Sequence, residues 1–411
     1  MNFTAFRLQL QRGELVTLNG WTERVERDGI VEIAQELVRI PSPSGEERTV
    51  MNFVEGWCAG RELGYQVVSK DPARPNVIIS IGDGETGPTI AMNGHLDTVP
   101  VSDAAAWKSD PFDPVVSEDG SRLYGRGASD MKSSVGVMLY LMDLFQDAPL
   151  RGRLQAHVVS DEETSGAYGS IFVLAEIAAS RLPRPDFCFI GEKSDLKVRN
   201  AERGILGLEI TFLGRASHTA AARATGINAI AKAAKGVLAL EQKLPQYHPA
   251  VGHPVISVNT INAGVAHNVV PGECTVTVDR RLIPGETKAR AVADIRAALD
   301  AIKAEDADFR YEMTVDPHGD YIPANITDED SPLVSAFQES VRVVTGREPE
   351  FFVAWAGATD GRFYRQAGID TVGFGPGGEN AHGANEAVYV DDLVTQAKVY
   401  AETIGRLLGV A

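Results

Sequence analysis

Residues 89–100 read TIAMNGHLDTVP, a run of apolar and small residues that ends on Gly94, His95 and Asp97. A short apolar run without alternation is the pattern of a strand buried on both faces, and the polar residues closing it fall where the strand leaves its sheet. Outward from this stretch, NVIISIG (76–82), LQAHVVS (154–160) and FCFIGE (187–192) repeat the pattern, with helical periodicities between them. Residues 24–39 set Val25, Ile30, Ile33, Ala34, Leu37 and Val38 on one side of a helix. Ser44 and Glu47 have capping-box spacing, which predicts a second helix to about residue 60. Further helices are predicted over about 132–145 and 171–180. The alternation predicts an α/β domain whose central sheet is mixed but mostly parallel and flanked by helices.

Around residue 203 the pattern changes. LGLEITFLG (206–214), a helix at 227–240, PVISVNTINAG (254–264), ECTVTVDRRL (273–282), a helix at 287–302 and FRYEMTV (309–315) give a β-α-β-β-α-β order. That is the order of a two-layer, ferredoxin-like α+β unit. It reads as an insertion at 203–315, with 1–202 and 316–411 forming one domain. The second part of that domain carries a helix over 333–344, the run IDTVGFG (369–375) and a last helix that Asp391 is placed to cap. The first 22 or so residues have weak periodicity, and no repeat is visible.

The 411 residues carry a formal charge of −17, which repels phosphate backbones and anionic lipid, so neither nucleic acid nor a membrane is expected as a partner. No stretch approaches the roughly 20 apolar residues of a membrane span. The opening MNFTAFRLQLQRGELV lacks the apolar segment and small-residue cleavage site of a secretory signal, so a cytoplasmic location is expected. Cys58, Cys188 and Cys274 are far apart and outside any Cys-x-x-Cys pattern, which predicts buried apolar residues, not a disulfide or a thiolate zinc site.

Two of the eight histidines sit in settings that suit a metal: His95 in MNGHLDTVP and His382 in ENAHGANEAV. Asp97 emerges on the same side of an extended chain as His95, and a carboxylate behind an imidazole is the usual support of a zinc-bound histidine. The bland alternative has Asp97 starting the turn before Pro100. Asp130, the pair Glu162–Glu163 and Glu192 also end apolar runs or begin helices, and strand ends of an α/β sheet converge on one edge. Four converging carboxylates cannot all ionise without compensating cations, and with histidines they form a donor set that zinc accepts. If the same acids are dispersed on the surface, no metal is needed.

The runs GHLDTVP (94–100), GRGASDMKSSVGVML (125–139), SDEETSG (160–166), GEKS (191–194), NVVPGECTVTVDRRLIPGE (268–286), ATDGRFY (358–364) and AHGANEAV (381–388), in this order, resemble the metallopeptidase family that includes acetylornithine deacetylase, succinyl-diaminopimelate desuccinylase, aminoacylase and glutamate carboxypeptidase. The resemblance spans the chain from about Ile40. It implies that His95, Asp130 and Glu192 hold one zinc and Asp130, Glu163 and His382 a second, with cobalt or manganese as possible substitutes. Glu162 becomes the catalytic base, with Asp97 behind His95 and a cis peptide between Asp130 and Met131. It further implies that His218 stabilises the oxyanion in a partner subunit's site, that Asn268 and Arg280 contact substrate, and that the insert is a dimerisation or lid domain of a homodimer. For Arg281, beside Arg280 on a strand, a structural ion pair is the better reading. Thr359, Asp360 and the loop 375–378 are expected on the substrate side. Lys193 stands where many relatives have proline, which leaves the neighbouring ligand in place.

Gly373, Gly375 and Gly378 have GxGxxG spacing, but Pro376 and ENAHGANEA leave no helix to receive a pyrophosphate, so a turn presenting His382 fits better. Neither a phosphate loop nor a GxSxG elbow occurs. The expected activity is amide hydrolysis of N-acyl amino acids, which VDRRLIPGE and TDGRFYRQAG favour by resemblance, with peptides bearing a free C-terminal carboxylate as the alternative substrates. A metal-binding scaffold that has lost catalysis is the remaining reading, and the presence of all five ligands and Glu162 speaks against it.

Overall fold

The structure is a computed structural model that describes residues 20–353 and 357–409. In chain order its main strands are β1 (Tyr65–Val68), β2 (Asn76–Gly82), β3 (Thr89–His95), β4 (Arg153–Val159), β5 (Phe187–Ile190), β6 (Gly204–Leu213), β7 (Val255–Ala263), β8 (Glu273–Leu282), β9 (Arg310–Val315) and β10 (Asp370–Gly373). The main helices are α1 (Arg27–Val38), α2 (Arg48–Ala59), α3 (Ser133–Leu144), α4 (Ser170–Ala178), α5 (Ala229–Leu240), α6 (Lys288–Glu305), α7 (Pro332–Thr345), α8 (Gly361–Gln366) and α9 (Val390–Leu408). The chain divides into two compact units, one containing the residues up to Asn200, Thr327–Phe352 and those from Ala358, the other Ala201–Ile326 and Val353–Gly357.

The first unit is built on a six-stranded sheet in the order β1-β2-β4-β3-β5-β10. Its β4, β3, β5 and β10 run parallel to one another, while β1 and β2 are antiparallel additions, so the sheet is mixed and mostly parallel as the apolar runs predict. Every residue of β3 is buried, because helices cover both faces. α3 is apolar nearly all round and packs against α1, α9 and β3. Two glycines permit this closeness. A Cβ on Gly136 would stand 3.2 Å from the Ala34 backbone, and one on Gly94 would meet Met131 at 2.7 Å and Val135 at 2.8 Å. The turn before α3 is thereby held against the end of β3.

A buried polar chain crosses the same sheet. His157 Nδ1 lies 2.8 Å from the Tyr364 hydroxyl, which also accepts from Asn93, and Nε2 lies 3.3 Å from Gln155 Oε1. Burial pushes the His157 imidazole down from its ordinary 6.5 to about 3. A depressed folded-state pKa gives stability that is complete above 6.5 and drains as pH falls toward 3. From pH 7 to pH 5 the expected loss through this one group is about 2 kcal/mol. Urea unfolding of wild type and His157→Gln at both pH values checks this: the variant should lose that much less, and equal losses would refute it.

The second unit is a four-stranded antiparallel sheet in the order β7-β8-β6-β9, with α5 and α6 on one face. Burial alternates strictly along β6 and β8, so every second side chain meets the helices. This is the smaller α+β architecture expected of the insert.

Two local expectations are corrected. The Ser44–Glu47 capping box does not form. Ser44 Oγ donates to Asp97 Oδ2 at 2.8 Å, Glu47 accepts from the Gly45 N–H and ion-pairs with Arg74, and neither side chain caps α2. Nor does Asp391 cap the last helix, which begins at Val390; Asp392 instead accepts from the Gly377 N–H. Cys58, Cys188 and Cys274 are buried and unpaired. The weakly periodic N-terminal segment lies, up to residue 19, outside the described residues. Among the described residues no helix is long and apolar enough to cross a membrane.

Candidate metal centre

The carboxyl ends of β3, β4 and β5 lie side by side, and each supplies donors. His95 closes β3, the turn after β4 carries Glu162 and Glu163, and Glu192 follows β5 by two residues. Asp161 shapes the turn after β4. Its backbone has φ 71°, and its carboxylate accepts from Ser165, the Tyr168 N–H and Arg74, the last at 2.6 Å. Asp97 ties two of these ends together. Its backbone oxygen lies 2.9 Å from His95 Nδ1, and its two carboxylate oxygens accept from the N–H groups of Glu162 and Glu163 at 3.1 and 3.2 Å. Asp97 therefore fixes which nitrogen of His95 faces away from it and how the two glutamates diverge.

Asp130 and His382 arrive on loops. The Asp130–Met131 peptide is cis, in the turn that leads into α3. His382 sits in the loop of a hairpin formed by Gly378–Glu379 and Ala387–Tyr389, at φ 65°, a left-handed conformation unusual for histidine. The glycines of the GxGxxG spacing serve this approach, not a nucleotide. A Cβ on Gly375 would strike Glu192 O at 2.3 Å, and one on Gly378 would strike Ser129 Oγ at 2.3 Å.

All five donors converge. His95 Nε2 lies 3.3 Å from Asp130 Oδ1 and 3.3 Å from Glu192 Oε1. His382 Nε2 lies 3.1 Å from Asp130 Oδ2 and 3.1 Å from Glu163 Oε1. Two groups of three result, sharing Asp130, one oxygen of which faces each group. Glu162 stands beside the first, with Oε2 4.0 Å from His95 Nε2.

The electrostatics of this cluster are those of a site short of positive charge. Burial, with the neighbouring Glu192, Asp360 and Asp130 charges, drives the Glu162 carboxyl far above the ordinary carboxylate range, against the pull of His95. Burial and Asp130 raise Glu192 as well. Burial opposes a charge on His95, yet Asp130, Asp97 and Glu192 outweigh it and raise the imidazole well above 6.5. Asp130 and Glu163 raise His382 to about 10. His95 Nε2 is itself buried without a hydrogen-bond partner, although two carboxylate oxygens face it. An orphaned nitrogen among acidic oxygens is the arrangement that a divalent cation completes, so the residues fit a pair of such ions.

The remaining expected residues belong partly to the second unit and partly to the first. His218 and Asn268 are exposed neighbours in the second unit, where a short ladder pairs His218 with Val269 and the Thr219 N–H donates to Asn268 O. Arg280 is only 3% exposed and gives Nη2 to Glu286 Oε1 at 2.6 Å. Arg281 lies in the other series of β8, paired with Asp279. The more accessible of the two arginines is thus the one not expected to meet substrate. Thr359 and Asp360 are buried in the first unit, and Asp360 accepts from Ser170 Oγ at 2.6 Å. Several contributors went unread in the sequence: Ser44 and Asp161 above, Glu386, Arg126, and Arg362, a buried cation donating to Thr359 O. Apart from Ser44, their one signal was position inside the motifs 125–139, 160–166, 358–364 and 381–388.

Comparison with known proteins supplies the last observations. Residues 91–406 match the model of Peptidase family M20/M25/M40. The chain is 32% identical over 333 residues to succinyl-diaminopimelate desuccinylase of Marinobacter nauticus, covering 79% of this chain and 85% of the relative. A tripeptidase from Staphylococcus aureus aligns with a TM-score of 0.75 at 21% identity, covering 94% of this chain and 99% of that one. A dinuclear metal-binding peptidase of the M20 family from Bacillus subtilis aligns at 0.68 and 20% identity, with coverage of 94% and 99%. At such identities the two structures show a shared fold.

Proposed function

Because this chain belongs to peptidase family M20/M25/M40, and is therefore a hydrolase, we propose that it cleaves the amide bond of N-acyl amino acids as a deacylase of the desuccinylase type. One observation carries the reading: two groups of three facing donors that share a single carboxylate, Asp130. His95, Asp130 and Glu192 would hold one divalent ion, and Asp130, Glu163 and His382 the other, with zinc as the proposed metal and cobalt or manganese as substitutes. Such a pair of ions supplies charge that neutralises the carboxylates, acidifies water and polarises a carbonyl.

The protein's own groups do the rest. Glu162, adjacent to Glu163 but turned to a different partner, takes a proton from the attacking water and delivers it to the leaving nitrogen. Asp97 holds His95 in one tautomer. Thr359 and Asn268 are proposed substrate contacts, and His218 is proposed to stabilise the oxyanion in a partner subunit's site. The burial of Arg280 against Glu286 supports giving the substrate carboxylate to Arg281, on the more accessible face of β8, which would exchange its Asp279 partner for it. The inserted unit is proposed to pair two copies of the chain, and the location to be cytoplasmic.

A hydrolysis screen of N-acetyl, N-succinyl and N-formyl amino acids beside dipeptides tests the assignment. Release of free amino acid from an acylated substrate is expected, and it should vanish on metal chelation. Dipeptides cleaved with at least about tenfold higher kcat/KM, a difference of about 1.4 kcal/mol, would transfer the assignment to peptide hydrolysis. No turnover of any substrate by the metal-loaded protein would end the hydrolase reading.

A further inference from the structure

Asp130 and His382 are far apart in the chain, and one buried ion pair joins their loops. Arg126, 2% exposed, brings Nη1 to 2.6 Å from Glu386 Oε2 and Nη2 to 3.3 Å from the His382 carbonyl. Glu386, 1% exposed, spends both oxygens on the other loop: Oε2 also accepts from the Gly127 N–H at 3.1 Å, and Oε1 accepts from those of Ser129 at 2.9 Å and Asp130 at 3.0 Å. The Gly125 N–H donates to the Glu386 carbonyl, extending the ladder between strand Arg122–Tyr124 and strand Ala387–Tyr389. The Arg126 guanidinium lies over the Trp107 ring. Burying such a pair is weak evidence for stability, since desolvation offsets the attraction. Its geometric effect is specific, because it sets the main chain of Asp130 against that of His382.

The two groups of ligands differ in how much they need this. His95 is the last residue of the β3–β4 ladder and Glu192 follows the β3–β5 ladder by two residues, so the sheet holds the main chain of one of the first three ligands and ends just short of another. Glu163 lies in a turn, and His382 is 51% exposed on a loop. We propose that Arg126 and Glu386 form a positioning latch for the second divalent cation, the one held by Asp130, Glu163 and His382, and matter little to the first. The proposal rests on the two-ion reading of the centre.

Titration of metal-free protein with cobalt(II), followed by calorimetry and visible absorption, separates the two binding steps. Wild type should take up two ions. Arg126→Met should weaken the second step by 10–100-fold, the usual cost of losing support behind a ligand, and leave the first within about threefold. Glu386→Gln, which also loosens the main chain of the shared Asp130, should weaken the second step more than the first, and its amide turns a donor toward backbone N–H groups and lowers stability. Arg126→Lys keeps the charge but cannot donate in a fork to Glu386 and His382 together. It should restore the thermal stability of the metal-free protein without restoring second-site affinity, an outcome that a purely structural role would not give. Equal weakening of both steps, or an unchanged second step in Arg126→Met and Arg126→Lys, would overturn the latch. A wild type that binds a single cobalt would instead overturn the two-ion reading beneath it.

Discussion

Glu162→Gln is expected to lower kcat by about 10³-fold, within the range that a positioned acid–base group contributes, while KM and bound metal stay near wild-type values. The amide fills the same space and keeps an oxygen toward the site, so metal ligands and fold are preserved and only proton transfer is lost. The adjacent Glu163→Gln separates the roles. Its Oε1 faces His382 Nε2 and Asp130 in the second group of donors, so it should lose an ion together with activity. Steady-state kinetics with metal analysis on both variants distinguishes the two losses. Near-full activity in Glu162→Gln would remove it as the base.

A larger effect on the metals is expected at Asp130. It is the one side chain shared by both groups, with Oδ1 toward His95 and Oδ2 toward His382. On the two-ion reading, Asp130→Ala would leave each ion two protein ligands. Affinity at both positions should fall by more than the 10–100-fold typical of an outer partner, with hydrolysis lost in proportion. His382→Ala, by contrast, should cost one ion. Measuring bound metal after dialysis against a fixed free concentration compares them. If Asp130→Ala still held two ions, the shared-carboxylate description would be wrong.

Much of the site was legible because its chemistry sits where the pattern breaks. His95 and Glu192 end or follow apolar runs, and such breaks in a buried sheet fall at one edge, so the residue types and the topology pointed to the same place. What the sequence concealed was of two kinds. Arg126 and Glu386 are 260 residues apart, and no local pattern announces a pairing of that separation. Ser44 and Glu47 had the right spacing for a cap, yet nearby tertiary partners, Asp97 and Arg74, were stronger claims on the same oxygens. The two adjacent arginines teach a different point. Cys274, Val276, Val278 and Leu282 are the buried series of β8, and Arg280 falls in it. The strand's period of two therefore sets Arg281 on the other face.

The most direct test of the account is a crystal structure of the metal-loaded protein with anomalous diffraction. Two peaks are predicted, one among His95, Asp130 and Glu192 and one among Asp130, Glu163 and His382, with an oxygen of Asp130 on each. A single peak, or metal bound away from Asp130, would contradict it.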